Sequence, residues 1–262
     1  MGSPGLFQEL DGLALEHQTL ISRFGRGPTI PVPYETVHGA FESIVDAHPS
    51  TPAAKYRGKA ITYAELDAAA NRLTNYLIDT GLAPKQRVCL VVQRSFEMLV
   101  GILAVLKAGC QYVPVDGGIT SDQALQHILR DTNSCFVLFL PKFEEKVKQL
   151  AESDVITVVL GVDVEAFSSK ARPSIPVSAS DGVYAIYTSG KFEIQKSIRE
   201  LTTPLGSTGA PKGVDVSHGN VTNALLLQPG SLGIRLGTRV AQVLNIAFDM
   251  GVFCFERYSF DN

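Results

Sequence analysis

The sequence predicts an α/β fold with parallel-rich sheets covered by helices on both faces. Three observations carry this prediction. The strands at 88–92 (VCLVV) and 136–140 (FVLFL) are unbroken apolar runs, and 156–160 (ITVVL) is apolar apart from Thr157. Helical patterns separate them, the signature of a parallel sheet buried on both sides. Finally, 45% of the 262 residues are hydrophobic, which supplies enough apolar chain for a sizeable core.

Residues 1–33 are loosely patterned and read as an extended lead-in that closes on GRGPTIPVP at 25–33. A first α/β subdomain is expected over 34–160. Phe41, Ile44 and Val45 mark a short helix that stops before Pro49. Residues 53–56 (AAKY) and 60–63 (AITY) flank the turn Arg57-Gly58-Lys59 and read as a strand hairpin. Thr62-Tyr63-Ala64-Glu65 is a capping box, in which the Thr hydroxyl and the Glu carboxylate satisfy the orphan amides of a helix start. Leu66, Ala70, Leu73 and Leu77 continue that helix at i, i+3 and i+4 spacing until Gly81.

The alternation then repeats. The strand at 88–92 precedes a strongly apolar helix over 95–107, ended by Gly109, and a strand at 112–115 (YVPV). Ser121 caps a helix running to 131 that carries Leu125, Ile128 and Leu129. A strand at 136–140, a charged helix near 142–151 and a strand at 156–160 complete the set. Residues 161–180 are rich in Ser, Ala and Pro and read as a connector. The start of a second α/β subdomain is expected over 181–262, with strands at 183–187 (VYAIY), 214–216 (VDV) and 240–244 (VAQVL) and a helix over 217–227.

Composition excludes several functions. Twenty-three Lys and Arg stand against 26 Asp and Glu, for a net charge of −3, with no basic block, which argues against a nucleic-acid partner. The longest apolar run, 98–106, is far short of the roughly 20 residues of a membrane span. The N-terminus has neither the basic and apolar regions of a secretory signal nor a Ser or Thr at position 6 for myristoylation. Cys89, Cys110, Cys135 and Cys254 share no CxxC spacing, and the first three lie in apolar or strand-like contexts. They read as structural thiols rather than metal ligands, and the compartment as reducing and cytoplasmic.

The segment that suggests chemistry follows the strand VYAIY. Thr188-Ser189-Gly190 comes first, and Gly206-Ser207-Thr208-Gly209-Ala210-Pro211-Lys212-Gly213 comes later. Small residues let the backbone approach a phosphate closely, hydroxyls and amides donate to its oxygens, and a Lys adds a compact positive charge. A loop of this kind directly after a strand is where an α/β sheet binds its ligand. Other nucleotide signatures fail. There is no GxGxxG, and a Walker A reading of SGKF places Ala185 and Phe192 where Gly and Ser or Thr are required.

With 191–206 set aside, the text reads YTSG-STGAPKGVDVSHGN, which resembles the phosphate loop of adenylate-forming enzymes. The similarity is strongest to the adenylation domains of nonribosomal peptide synthetases. ITYAEL at 61–66, LKAGCQYVPVD at 106–116 and AFDMG at 247–251 stand in that family's order. The resemblance implies the N-terminal portion of an adenylate-forming, acyl-CoA synthetase-like fold. It also implies a reaction of ATP with a small-molecule carboxylic acid, giving an acyl-adenylate and pyrophosphate. An amino acid is the expected acid, with later transfer to the phosphopantetheine thiol of a carrier domain.

On this resemblance Thr188, Ser189, Gly190, Ser207, Thr208, Gly209 and Lys212 would surround the phosphates of ATP, and Asp249 would pair with the substrate's α-amino group. Mg2+ is implied as well, with its ligand expected outside this sequence. From the residues alone, LKAG and YVPVD read as a helix stop and a buried strand, His218 as a turn histidine, and Asp249 as a solvated loop carboxylate.

Two departures from the family stand out. The segment 191–206 splits the phosphate loop, and relatives continue well beyond residue 262, into the parts that hold most of the acid pocket and the catalytic lysine. The chain as written is therefore expected to be inactive alone. Its alternatives are a fragment of an acyl- or aryl-CoA ligase, or an inactive fragment with weak nucleotide binding. Codons offer an origin for the split: Gly190-Lys191 can be encoded GGTAAG, a donor-like element, and Leu205-Gly206 can supply an acceptor AG, so 191–206 reads as a retained intron. A second read-through would explain the atypical tail at 252–262. The other reading is a surface insertion, helical through Ile194, Ile198 and Leu201.

Overall fold

The computed structural model describes residues 14–25, 30–161, 169–188, 212–227 and 238–247. Residues 1–31 form one unit and 32–262 a second. Within the first, α1 (Leu15–Phe24) is a helix inside the stretch read as an extended lead-in. Glu16 in its first turn and Arg23 in its last match the helix dipole, a local signal that the weak apolar pattern concealed.

The second unit opens with α2 (Val37–Ala47), capped by the Thr36 hydroxyl, which accepts from the Gly39 amide. The strands β1 (Pro52–Tyr56) and β2 (Lys59–Thr62) pair antiparallel. Arg57 and Gly58 both take positive φ between them, the geometry of a tight hairpin turn. The capping box at the start of α3 (Tyr63–Asp79) forms as read: the Thr62 amide donates to Glu65 at 2.8 Å, and the Glu65 amide donates to the Thr62 hydroxyl at 3.2 Å.

From there the chain alternates β3 (Arg87–Val92), α4 (Phe96–Lys107), β4 (Gln111–Asp116), α5 (Asp122–Asp131), β5 (Phe136–Phe139), α6 (Glu144–Leu150) and β6 (Ile156–Val159). After the connector come β7 (Gly182–Thr188), β8 (Lys212–Ser217) and α7 (His218–Leu226). The large sheet has the order β6-β5-β3-β4-β7-β8. Strands β3 to β7 run parallel, whereas β8 returns antiparallel to β7. The β4–β7 register is limited to Tyr112 opposite Tyr184, and Pro114, with no N–H to donate, lies just beyond it.

Strands β4 and β5 are buried along their whole length and β3 beyond its first residue, so helices cover both faces of the sheet. Helix α4 is buried on every side from Met98 to Lys107, which is why its sequence is apolar all round. It ends where Gly109 turns to φ +69°. A Cβ there would lie 2.9 Å from Ile175 Cγ2, so the glycine is required by conformation and by space.

One buried ionic cluster joins α2, α3, α4 and the connector. Lys107, 2% exposed, pairs with Glu42 and with Asp67 at 2.8 Å. Arg172 of the connector bridges Asp67 at 3.2 Å and Asp46 at 2.8 Å, and the amides of Asn71 and Asn75 hold the carbonyls of residues 169–171.

The segment 240–244, read as a strand, is not one. Val243 is 71% exposed, and its carbonyl accepts from the Arg94 guanidinium instead of a ladder partner. Ile246, two residues beyond the run, is the side chain that enters the core. Cys89 and Cys110 are buried, and burial pushes each thiol up to about 11. Cys135 is exposed, contrary to its strand-like context, because it precedes the first residue of β5.

Candidate functional site

The site is built at the carboxyl edge of the sheet, where β3, β4, β5 and β7 all end. The pairing of β7 with β8 sets Ile186 opposite Val214, Tyr187 opposite Gly213 and Thr188 opposite Lys212. Thr188 opens the first half of the split phosphate motif, and Lys212 lies near the end of the second half. The antiparallel return therefore brings two residues 24 positions apart in sequence to adjacent register places. Ser189, Gly190, Ser207, Thr208 and Gly209, like Asp249 and Cys254, lie outside the described residues.

Side chains hold this pair in place. Asp215 of β8 takes two hydrogen bonds from the Arg87 guanidinium, at 3.0 and 2.9 Å, which ties the edge strand to β3. The Tyr187 hydroxyl donates to Asp131 of α5 at 2.5 Å. Burial and that neighbouring carboxylate push the phenol well above its ordinary range, so it stays protonated. A Cβ on Gly213 would sit 3.1 Å from the Tyr187 ring, so the glycine after Lys212 is explained by close cross-strand approach. Lys212 itself is exposed at the start of β8.

Helix α7 follows β8 directly, with Ser217 capping it through the Asn220 amide at 3.2 Å. His218, read from sequence as a turn residue, is 1% exposed, and its Nδ1 accepts from the Val37 amide at 3.1 Å. It thus caps the start of α2 from another helix, a role invisible without the fold. Burial lowers its pKa to about 4, the Asp181 charge opposing the shift. His38 packs edge-on against it, with ring centroids 5.4 Å apart, and is held down to about 3 by burial and by the His218 and Lys107 charges. Both imidazoles are neutral at neutral pH.

Sequence reasoning missed a polar group on the same carboxyl edge. Asp116, the last residue of β4 and 8% exposed, accepts from Gln93 Nε2 at 2.9 Å, from the Gly118 amide at 2.8 Å and from the Asn245 side chain. Lys146 donates to the Thr120 carbonyl at 2.6 Å and pairs with Asp122, fixing the loop after β4. The only sequence signal was the Asp that ends the YVPVD motif.

The family described as AMP-binding enzyme matches residues 41–190, more than half of the chain. The chain belongs to the AMP-binding enzyme family. It is 37% identical over 248 residues to adenylate-forming reductase 03009 of Coprinopsis cinerea, covering 93% of this chain and 22% of that protein. It is 32% identical over 244 residues to surfactin synthase subunit 2 of Bacillus subtilis, covering 91% of this chain and 6% of that one. This AMP-binding chain thus spans about a fifth, or less, of these relatives' lengths.

Among solved structures, the AMPPNP-bound form of the nonribosomal peptide synthetase FmoA3 superposes with a TM-score of 0.76 at 21% identity, covering 94% of this chain and 24% of that one. The N-terminal subdomain of Klebsiella oxytoca NpsA, in complex with 3-hydroxybenzoyl-AMSN, gives 0.70 at 20% identity, covering 90% and 54%. The fold is that of the N-terminal portion of an adenylation domain, as the motif order implied.

Among the described residues no group of three or more His, Cys, Asp or Glu side chains is arranged to hold a metal ion. No helix among them is long and apolar enough to cross a membrane.

Proposed function

We propose that this chain is the front portion of an adenylation domain that, in its complete form, activates an amino acid. The carboxylate of the acid attacks the α-phosphorus of ATP, the bond to the β-phosphate oxygen breaks, and aminoacyl-adenylate and pyrophosphate result. The acyl group would then pass to the phosphopantetheine thiol of a carrier domain. The supporting observation is the register that sets Thr188 opposite Lys212 at the ligand edge of the sheet.

In this reading the loop bounded by those residues supplies Ser189, Gly190, Ser207, Thr208 and Gly209 as hydroxyl and amide donors to the phosphates. Lys212 offsets the charge that builds on the departing pyrophosphate, an electrostatic contribution specific to the transition state. Asp249 pairs with the α-ammonium of the acid, giving affinity and specificity together.

A second reading is an acid without the α-amine, as in an acyl- or aryl-CoA ligase; relatives at 36–37% identity are named adenylate-forming reductases, a name that calls for no amine on the acid. ATP–pyrophosphate exchange by the complete protein over amino, aryl and fatty acids tests both. Exchange with amino acids alone supports the first reading, exchange with the others alone the second, and exchange with none overturns both.

A further inference from the structure

We propose that Asp116 is a positioning residue for the acid-binding segment, acting through Asn245. The inference rests on the reading of Asp249 given above. Four connections meet at one place on the carboxyl edge. Asp116 receives Gln93 from the loop after β3 and the Gly118 amide from its own loop. It also receives the Asn245 side chain from a segment 129 residues away in sequence. Asn245 in turn accepts the Ala247 amide at 2.9 Å, which folds the backbone around its own side chain.

Next to it Ile246 is 2% exposed, so its side chain anchors the segment in the core while Val243 and Leu244 stay at the surface. Arg94 adds a second tie at the Val243 carbonyl. The segment 243–247 is therefore held by an apolar anchor and by side chains from the loop after β3 and the end of β4. Asp249, which the proposed function assigns to the acid, follows Ala247 by two residues of sequence.

The base on which Asn245 is fixed is itself rigid. Lys146 binds the Gly117 and Thr120 carbonyls, and the Phe143 ring packs so closely on Gly117 that a Cβ there would lie 2.7 Å from it. Asp116 thus converts a stiff loop beside β4 into a reference point for a distant segment with no strand of its own. Binding groups must be held to within about half an ångström to be productive, which is the work assigned to this carboxylate.

The hydrogen-bond pattern supplies its own test. Asp116→Asn leaves an acceptor for Gln93 and the Gly118 amide but faces the Asn245 donor with another donor. Asn245→Asp in that background restores the pair with donor and acceptor exchanged, and still offers an oxygen to the Ala247 amide. In the 1–262 chain, hydrogen exchange at 243–247 should quicken roughly 10-fold or more in Asp116→Asn and return in the double variant. Exchange in β3 and α4 should not change, which separates this effect from unfolding.

In the complete enzyme, the single variant should raise KM for the acid about 10-fold and leave KM for ATP within about twofold, with recovery in the double variant. Failure of the double variant to restore slow exchange at 243–247 would overturn the clamp. Restored exchange with no effect on acid KM in either variant would overturn its role in positioning, while leaving the proposed reaction intact. If the unaltered enzyme shows no acid-dependent exchange of pyrophosphate, the proposed reaction fails and the positioning role fails with it.

Discussion

Deleting residues 191–206 should stabilise the protein, and the size of the effect follows from the β7–β8 register. Thr188 and Lys212 are paired across the two strands, so the chain between them is a loop with closed ends. Removal of 191–206 leaves Ser189, Gly190 and 207–211 to join neighbouring strands about 5 Å apart, a span they cover without strain. Loop-closure entropy scales with the logarithm of length, so shortening the connection roughly threefold lowers its cost by about 1 kcal/mol. For a unit of this size that corresponds to a rise in Tm of about 2–4 °C. Urea titration of the 1–262 chain and of the deletion variant measures the difference directly, and the m-value should stay the same because the sheet is unaltered. Destabilisation by about 1 kcal/mol or more would refute the reasoning, since it would mean that 191–206 contributes packing of its own. Mature transcripts lacking codons 191–206 would show in addition that the shorter loop is the one the cell makes.

Stability should fall with acid between about pH 6.5 and pH 4, because the unfolded chain binds protons at His218 that the folded chain refuses until about pH 4. The sign is that of a base with a depressed folded pKa: the stabilisation is fully present above 6.5 and is lost as pH falls. His218 accounts for about 3 kcal/mol of the loss. His218→Asn, which keeps an acceptor for the Val37 amide, should flatten the curve relative to the parent in denaturant titrations at stepped pH. Lys107→Met should destabilise by about 3 kcal/mol in chemical denaturation, because it leaves the buried Asp67 carboxylate with Arg172 as its remaining cation and takes the cation from the half-buried Glu42. In the complete protein, Asp249→Ala should remove about 2–5 kcal/mol of amino-acid binding while leaving nucleotide binding intact, read as acid KM against ATP KM in pyrophosphate exchange. Lys212→Ala should lower the exchange rate more than it weakens acid binding, and an unchanged rate would return Lys212 to the status of a surface lysine.

Local chemistry was legible without the fold. The Thr62–Glu65 capping box, the turn at Arg57-Gly58, the Gly109 stop and the buried strands 88–92 and 136–140 all depend on neighbours within a few residues or on burial that composition records. The family motifs were equally plain in order and spacing. What sequence could not carry was direction and partnership over distance. A strand's apolar run records that it is buried but not which way its neighbour runs, so the antiparallel return of β8 emerged only with the sheet. The same limit explains 240–244: five apolar-rich residues fit a strand, yet no sheet edge pairs with them, and Arg94 takes the Val243 carbonyl. His218 as a cap for α2, and Asp116 as the tie to Asn245, join residues more than 100 positions apart. Their energetics depend on desolvation and hydrogen-bond geometry, which exist only once the chain has closed on itself.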